Sequence, residues 1–222
     1  MRIAVAGAGA VGIYIANDLV DAGHDVLLIE QSLTVQNKSK TDPGVTWFIG
    51  DACEVSSLRK AKLDTYDVLV AATGDDEDNL VVSLLAKTEF AIPQIIARVN
   101  HPKNEWMFNE AWGVDQAVST PHLLTALVEE AVSVGRLIEI FKFEGGRIRL
   151  VECTLAEDSP AVNKTVSELK APADITLVAI VRGDHVQHPK AGSVLEVDDE
   201  ILALVTDQSY EDLRRLLTGK SD

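Results

Sequence analysis

The run Gly7-Ala8-Gly9-Ala10-Val11-Gly12 constrains this chain more than any other feature. Three glycines at this spacing arise often by chance, and alone they would say little. Here they follow a strand-like run at residues 3–6 and open a helix-like segment at 11–19, the context their mechanism requires. Gly7 permits a tight turn, Gly9 lets the backbone touch a pyrophosphate, and Gly12 lets the helix pack close to the strand. The free N–H groups at the helix start then hold phosphate oxygens. Eighteen residues past Gly12, at the end of the second strand-like run, stands Glu30. A carboxylate there accepts hydrogen bonds from both hydroxyls of an adenosine ribose and repels a 2′-phosphate. The set predicts NAD or an adenine nucleotide in preference to NADP; the competing reading is a core of the same shape that binds nothing.

Apolar runs at residues 2–6, 25–29, 45–49, 67–72, 95–99 and 116–118 alternate with helical periods at 11–22, 55–61, 76–90 and 104–112. Strands spaced by helices of this length make repeated right-handed crossovers and a parallel sheet. After Asp67 the run at 67–72 is apolar throughout, as a strand covered on both faces should be. Residues 1–120 therefore read as an α/β nucleotide-binding domain, a Rossmann-like doubly wound parallel sheet. A helical stretch at 122–137 follows, with Leu124, Leu127, Val128, Ala131 and Val134 in one apolar stripe. That periodicity fits the chain's own core and the surface of a partner subunit equally well. From 138 to 222 the pattern is a small α+β domain. It has a hairpin signal at Glu144-Gly145-Gly146, a short helix at 163–169, strands at 176–182, near Val186 and at 200–206, and a final helix at 210–217. The expected division is thus 1–120, a linking helix at 121–137, and 138–222.

Two more loops lie at the carboxyl ends of strands, where ligands bind in such sheets. In Gly50-Asp51-Ala52, Asp51 is placed to reach the adenine end of a ligand. In the segment from Ala72 to Asn79, Thr73 and Gly74 are small enough to lie against a pyrophosphate or a nicotinamide ribose. The acids Asp75, Asp76, Glu77 and Asp78 suit a helix start, where they cap and offset the dipole; a ligand or divalent-cation role is the alternative. Arg98, near the end of the fifth strand, is positioned to meet a phosphate, or else to pair with those acids.

Charge and missing residue types exclude other functions. With 20 basic against 35 acidic residues the net charge is −15, and neither half is basic, so nucleic acid and anionic lipid are poor partners. The hydrophobic content of 46% is too high for disorder. No stretch approaches the ~18 apolar residues of a membrane span, which predicts a soluble cytosolic chain without direct membrane insertion. Cys53 and Cys153 read as buried small hydrophobes rather than a disulfide or metal pair. A dehydrogenase needs a proton donor or acceptor beside the nicotinamide. Of the five histidines only His101 is expected near a ligand, and a surface loop suits it better; His185 and His188 lie in a turn. No catalytic residue and no metal site is expected. A cofactor site without catalytic groups points to sensing.

Taken in order, Gly7–Gly12, Gly50-Asp51-Ala52, Ala71-Ala72-Thr73-Gly74-Asp75-Asp76 with Asn79, and Ala97-Arg98-Val99-Asn100 through Gly113-Val114-Asp115 resemble the TrkA-type regulatory subunits of bacterial potassium transporters. These are built from the regulator-of-potassium-conductance (RCK) module, and the likeness spans essentially the whole chain. Ser83-Leu84-Leu85-Ala86-Lys87 with Asn104-Glu105-Trp106 is similar to actinobacterial members. The resemblance implies a non-enzymatic gating subunit, a homodimer assembling into a ring. It implies docking on a Trk/Ktr-type potassium-translocating membrane subunit at the inner face of the cell membrane. Bound NAD, NADH, ATP or ADP would bias the ring's shape. The implied nucleotide contacts are Gly7, Ala8, Gly9, Ala10, Val11, Gly12, Glu30, Asp51, Ala52, Thr73, Gly74 and Arg98. Some members carry an arginine inside the glycine loop for a γ-phosphate. Ala10 and Val11 stand there in this chain, which moves the expectation toward NAD or NADH. Cyclic di-AMP binding by the C-terminal domain is left open, because residues 170–180 show no polar signature. A NAD-dependent oxidoreductase with a compact substrate domain is the alternative.

Overall fold

The computed structural model describes residues 1–143 and 147–219, without the side chains of 130 and 131, so the hairpin signal at Glu144-Gly145-Gly146 lies outside the described residues. The chain divides after Pro121 into two compact units.

In the first unit, β1 (Arg2–Ala6), β2 (Asp25–Glu30), β3 (Val45–Ile49), β4 (Val68–Ala71), β5 (Gln94–Val99) and β6 (Gln116–Ser119) form one parallel sheet in the order β3-β2-β1-β4-β5-β6. Helices α1 (Ala10–Asp21), α2 (Leu33–Lys38), α3 (Val55–Lys60) and α4 (Asp76–Thr88) cover it. Two apolar cores result, one per face. Ile95, Ala97 and Val99 of β5 join Leu58 of α3 and Leu80, Val82 and Ala86 of α4. The alternate residue, Ile96, packs with Ile13 and Ala16 of α1. A strand covered on both faces favours apolar residues at successive positions, which is why Ile95, Ile96 and Ala97 do not alternate with polar residues.

Two differences from expectation have local causes. The helix expected at 104–112 is two 3₁₀ turns, Pro102–Met107 and Glu110–Trp112. The Asn109 side chain accepts from the Ala111 N–H and starts a second turn, and Gly113 at φ +75° ends it. The short helix α2 carries too few apolar residues to announce itself; Val35 is its contact with the core.

Helix α5 (Thr120–Val132) begins at the division. It stops short of the expected 137, because Gly135 turns left-handed at φ +74° and donates its N–H to the Thr154 carbonyl at 2.8 Å. Leu124, Leu127 and Val128 of the predicted stripe are 53–62% exposed, whereas Ala126 is buried. The rest of the second unit is an antiparallel sheet of β7 (Ile138–Phe143), β8 (Ile148–Thr154), β9 (Ile175–Arg182), β10 (His185–Gln187) and β11 (Glu200–Thr206), in the order β10-β9-β11-β8-β7. Val151, Cys153, Ile201 and Ala203 face Leu213 and Leu217 of α6 (Tyr210–Thr218) in its core. The helix expected at 163–169 shrinks to one 3₁₀ turn, Val166–Leu169, opened by a capping box between Thr165 and Glu168. Asn163 at φ +63° cannot belong to a right-handed helix. Asp199, fully buried, holds Arg182 through both oxygens at 2.7 and 2.8 Å.

Candidate functional site

The sheet order reverses at β1, which pairs with β2 on one side and β4 on the other. Each strand end there continues its ladder by one hydrogen bond before the chains diverge. Gly7 donates to Ile29, Ala72 to Ala6, and Gly50 to Glu30, all at 2.9–3.0 Å. The loops that leave these ends enclose a pocket of ≈ 190 Å³, lined by Gly7, Ala8, Gly9, Ile29, Glu30, Gln31, Gly50, Asp51, Ala52, Cys53, Thr73, Gly74 and Asp78. A crevice at this reversal point is where open α/β sheets take ligands. Its volume is below the ~300–1,000 Å³ of whole small-molecule sites, so it accommodates part of a dinucleotide.

The glycines divide the labour as their positions require. Gly7, at φ +101°, turns the chain so tightly that a Cβ there would lie 2.8 Å from the Thr73 Cα. A Cβ at Gly12 would overlap the Gly7 carbonyl oxygen, so the helix can pack against the loop only with glycine there. At Gly9 a Cβ would meet nothing within 4 Å, which leaves space for phosphates. Gly9 also precedes α1, whose first turn has neither a side-chain cap nor an acid. Its N–H groups and the positive end of the helix dipole are therefore available to an anion.

Glu30 is held between two loops, with Oε2 accepting from the Ala8 N–H at 3.0 Å and Oε1 from the Ser32 N–H at 2.9 Å. Each carboxylate oxygen keeps a lone pair for a ribose hydroxyl. Asp51 Oδ1 accepts from the Cys53 N–H at 2.8 Å and so shapes its own loop. Thr73 is anchored rather than free. Its N–H and hydroxyl both meet Asn79 Oδ1, at 2.9 and 2.8 Å, while Asn79 Nδ2 donates to the Arg98 carbonyl at 2.9 Å. Asn79 is fully buried, and this one amide ties the β4 loop to the end of β5.

The acidic run separates into distinct jobs. Asp75 is the cap of α4, accepting from the Glu77 N–H. Asp76, only 2% exposed, accepts from the N–H groups of Asn100 at 2.6 Å and His101 at 3.0 Å, and from Asn104 Nδ2 at 2.9 Å. Burial works against its charge, but these donors outweigh burial and hold its carboxyl below the ordinary value of 3.8. Asp78 faces the pocket, where the Cys53 thiol lies 3.7 Å from its Oδ1.

Of the residues singled out in the sequence, Gly7, Ala8, Gly9, Glu30, Asp51, Ala52, Thr73 and Gly74 come together around the pocket. Ala10, Val11, Gly12 and Arg98 lie outside its lining. Ala10 and Val11 are exposed on the first turn of α1, and Gly12 acts through packing. Arg98 is half-buried, and its Nε has no hydrogen-bond partner. Cys153 is buried as expected, but Cys53 is not a core residue of a strand. It follows β3 in the Asp51 loop, half-buried against the pocket, and desolvation followed by the charges of Asp78 and Asp51 pushes its thiol up to about 12. His101 uses its backbone, and its side chain is exposed. Gln31, Cys53 and Asn79 are not among the contacts expected from the sequence, and Asp78 is expected there only as the alternative to a helix-start acid. Cys53 follows the Gly50-Asp51-Ala52 motif directly, the one signal that pointed to it.

Residues 3–120 match the TrkA-N domain and residues 150–218 the TrkA-C domain. The chain belongs to the TrkA family. It is 50% identical over 217 residues to the Trk system potassium uptake protein TrkA of Mycobacterium tuberculosis, covering 98% of each chain. A TrkA homolog of Methanothermobacter thermautotrophicus is 29% identical over 219 residues, 99% of this chain and 100% of that one. In fold the chain is similar to the GsuK channel bound to NAD, with a TM-score of 0.61 at 16% identity, over 100% of this chain and 40% of that one. This TrkA-family chain thus has a Rossmann-like parallel sheet followed by a small antiparallel domain, as its sequence predicted. No helix among its described residues is long and apolar enough to cross a membrane.

Proposed function

We propose that this chain is a nucleotide-sensing regulatory subunit that gates a Trk/Ktr-type potassium-translocating membrane protein. The observation that carries the reading is the pocket at the β1 reversal point, where an uncapped helix start, Glu30 and the Asp51 and Thr73 loops converge within a chain of TrkA-N and TrkA-C domains. Its ligand is NAD or NADH first, with ATP or ADP as alternatives. Gly7, Ala8, Gly9 and the first turn of α1, Ala10 to Gly12, cradle the phosphates. Glu30 takes the ribose, Asp51 and Ala52 the adenine, and Thr73 and Gly74 the far side, with Arg98 beyond the lining as a phosphate partner. The NAD named for the GsuK structure supports this choice.

The subunit works without catalysis. None of the described residues lining the pocket is His, Tyr or Lys, the groups a dehydrogenase uses to move a proton. Residues 1–120 sense, the helix within 121–137 connects, and residues 138–222 regulate. The exposed Leu124, Leu127 and Val128 supply a surface for a second copy, as a dimer within a ring requires. The assembly sits in the cytoplasm against the membrane through its partner. A nucleotide moves such a ring only by its difference in affinity for two shapes.

Calorimetric titration with NAD, NADH, ATP and ADP tests the reading. Binding of at least one is expected, and Glu30→Ala should weaken it by about 1.5–3 kcal/mol through lost hydrogen bonds to a charged acceptor. Failure of all four ligands would overturn it. Steady consumption of NADH with a small carbonyl compound would favour the oxidoreductase instead. Co-purification with a potassium-translocating membrane protein and a mass above the monomer are expected of the full chain.

A further inference from the structure

The charge lining the pocket has a consequence for which nucleotide it accepts. Within the lining, attraction for phosphate comes from backbone N–H groups at the start of α1, a short-range dipolar source directed at one place, and Arg98 stands beyond it. One loop donor, the Ala8 N–H, is already engaged by Glu30. Around that place stand three carboxylates, Glu30, Asp51 and Asp78, while none of the described lining residues is lysine, arginine or histidine. Glu30 and Asp51 have work in the fold, since both accept backbone N–H groups. Asp78 has no such work. It is exposed in the first turn of α4, the cap is Asp75, the buried bracket is Asp76, and Asp78 adds charge at the pocket wall.

We infer that Asp78 sets the charge selectivity of the site: it disfavours adenine nucleotides that end in a terminal phosphate and leaves those whose diphosphate is esterified at both ends. The inference rests on the pocket being a nucleotide site and narrows the class of nucleotide it takes. A dinucleotide diphosphate presents its charge to the N–H cradle and has no terminal phosphate to place beside the acids, and oxidised NAD carries a compensating cationic ring. ADP places an additional charge beside the three carboxylates, and ATP places more. Like charges sharing one small pocket repel each other at a protein surface, and salt screens that repulsion.

Calorimetric titrations of the full chain, with divalent cations chelated, use NAD, ADP-ribose, ADP and ATP as probes. NAD and ADP-ribose should bind tightest, then ADP, then ATP. Raising the salt from about 20 mM to about 500 mM should bring ADP and ATP closer to ADP-ribose by screening the repulsion. Asp78→Asn keeps an oxygen for the Cys53 thiol and should strengthen ATP about 3–10-fold relative to ADP-ribose. Glu77→Gln removes the same charge one residue away, outside the lining, and should leave that ratio within about twofold. ATP binding more tightly than ADP-ribose to the unaltered chain would overturn the inference, as would equal effects of the two variants. The salt series reads the same repulsion with no substitution. If no probe binds, the nucleotide reading itself fails, a result distinct from binding without the charge order.

Discussion

The two sheets of this molecule manage their buried polar groups in different ways. In the parallel unit the polar side chains at the carboxyl edge are brackets to backbone: Glu30 to Ala8 and Ser32, Asp76 to Asn100 and His101, Asn79 to Thr73 and Arg98. In the antiparallel unit the buried acid Asp199 is held chiefly by a side chain, Arg182, which also reaches Glu196, while the buried hydroxyls of Ser159 and Thr218 donate to backbone carbonyls. Connectivity explains the contrast. Parallel strands all release their chains at one edge, so several loops leave the ladder together and their N–H and C=O groups need partners. Antiparallel strands return directly, as β9 does through Gly183 into β10, and most backbone groups stay paired. The ion pair instead fastens the long connection before β11 onto β9. A loop cluster held by side chains can leave N–H groups free for a ligand, and a zipped sheet cannot.

The largest effect should come from putting a side chain where the loop and helix touch. Gly12→Val overlaps the Gly7 carbonyl and should cost about 3 kcal/mol or more, exposing β1 and α1 to hydrogen exchange, while Gly9→Val should leave exchange unchanged and still abolish nucleotide binding. Equal exchange in both variants would erase the proposed division between the glycines. Asp199→Ala removes both carboxylate bonds to Arg182, leaving it Glu196 and the Val194 carbonyl, and should cost about 2–3 kcal/mol, read as faster exchange in β9 and β11 with nucleotide affinity unchanged. Asn79→Leu, similar in size, leaves the Thr73 N–H and Arg98 carbonyl unpaired. It should cost about 2 kcal/mol and weaken nucleotide binding about tenfold, coupling stability to function in the first unit only.

The smallest effect is on acid sensitivity. The folded carboxyl of Asp76 titrates below its ordinary value of 3.8, so its contribution is complete above that value and is lost as pH falls through the folded one. Thermal midpoints measured from about pH 6 down to about pH 3 should fall less steeply for Asp76→Asn than for the unaltered chain. An unchanged slope would mean that the bonds from Asn100 and His101 do not favour the charged form.

Much of this was legible in the sequence because the signals are local. The glycine loop, the apolar strands and the acid eighteen residues beyond Gly12 each depend on neighbours a few positions away, and the pocket gathers eight of the predicted contacts. The 104–112 segment has an apolar spacing that satisfies a helix, while the Asn109 cap that interrupts it is a side-chain event. Asp75, Asp76 and Asp78 look alike on the page. Their roles as cap, buried bracket and pocket wall follow from where one turn of helix points each side chain, which only the packing of α4 against β5 decides.

By itself, then, the sequence determined the alternation of strands and helices, the parallel sheet and the glycine loop, because periodicity and glycine placement act over a few residues. The tertiary structure alone decided which acids are buried, where Cys53 lies, that Arg98 stays outside the pocket lining, and that Asn79 holds two loops together. Those outcomes depend on residues brought together across the sheet, and a carboxylate's or amide's role is set by the donors and acceptors it meets there.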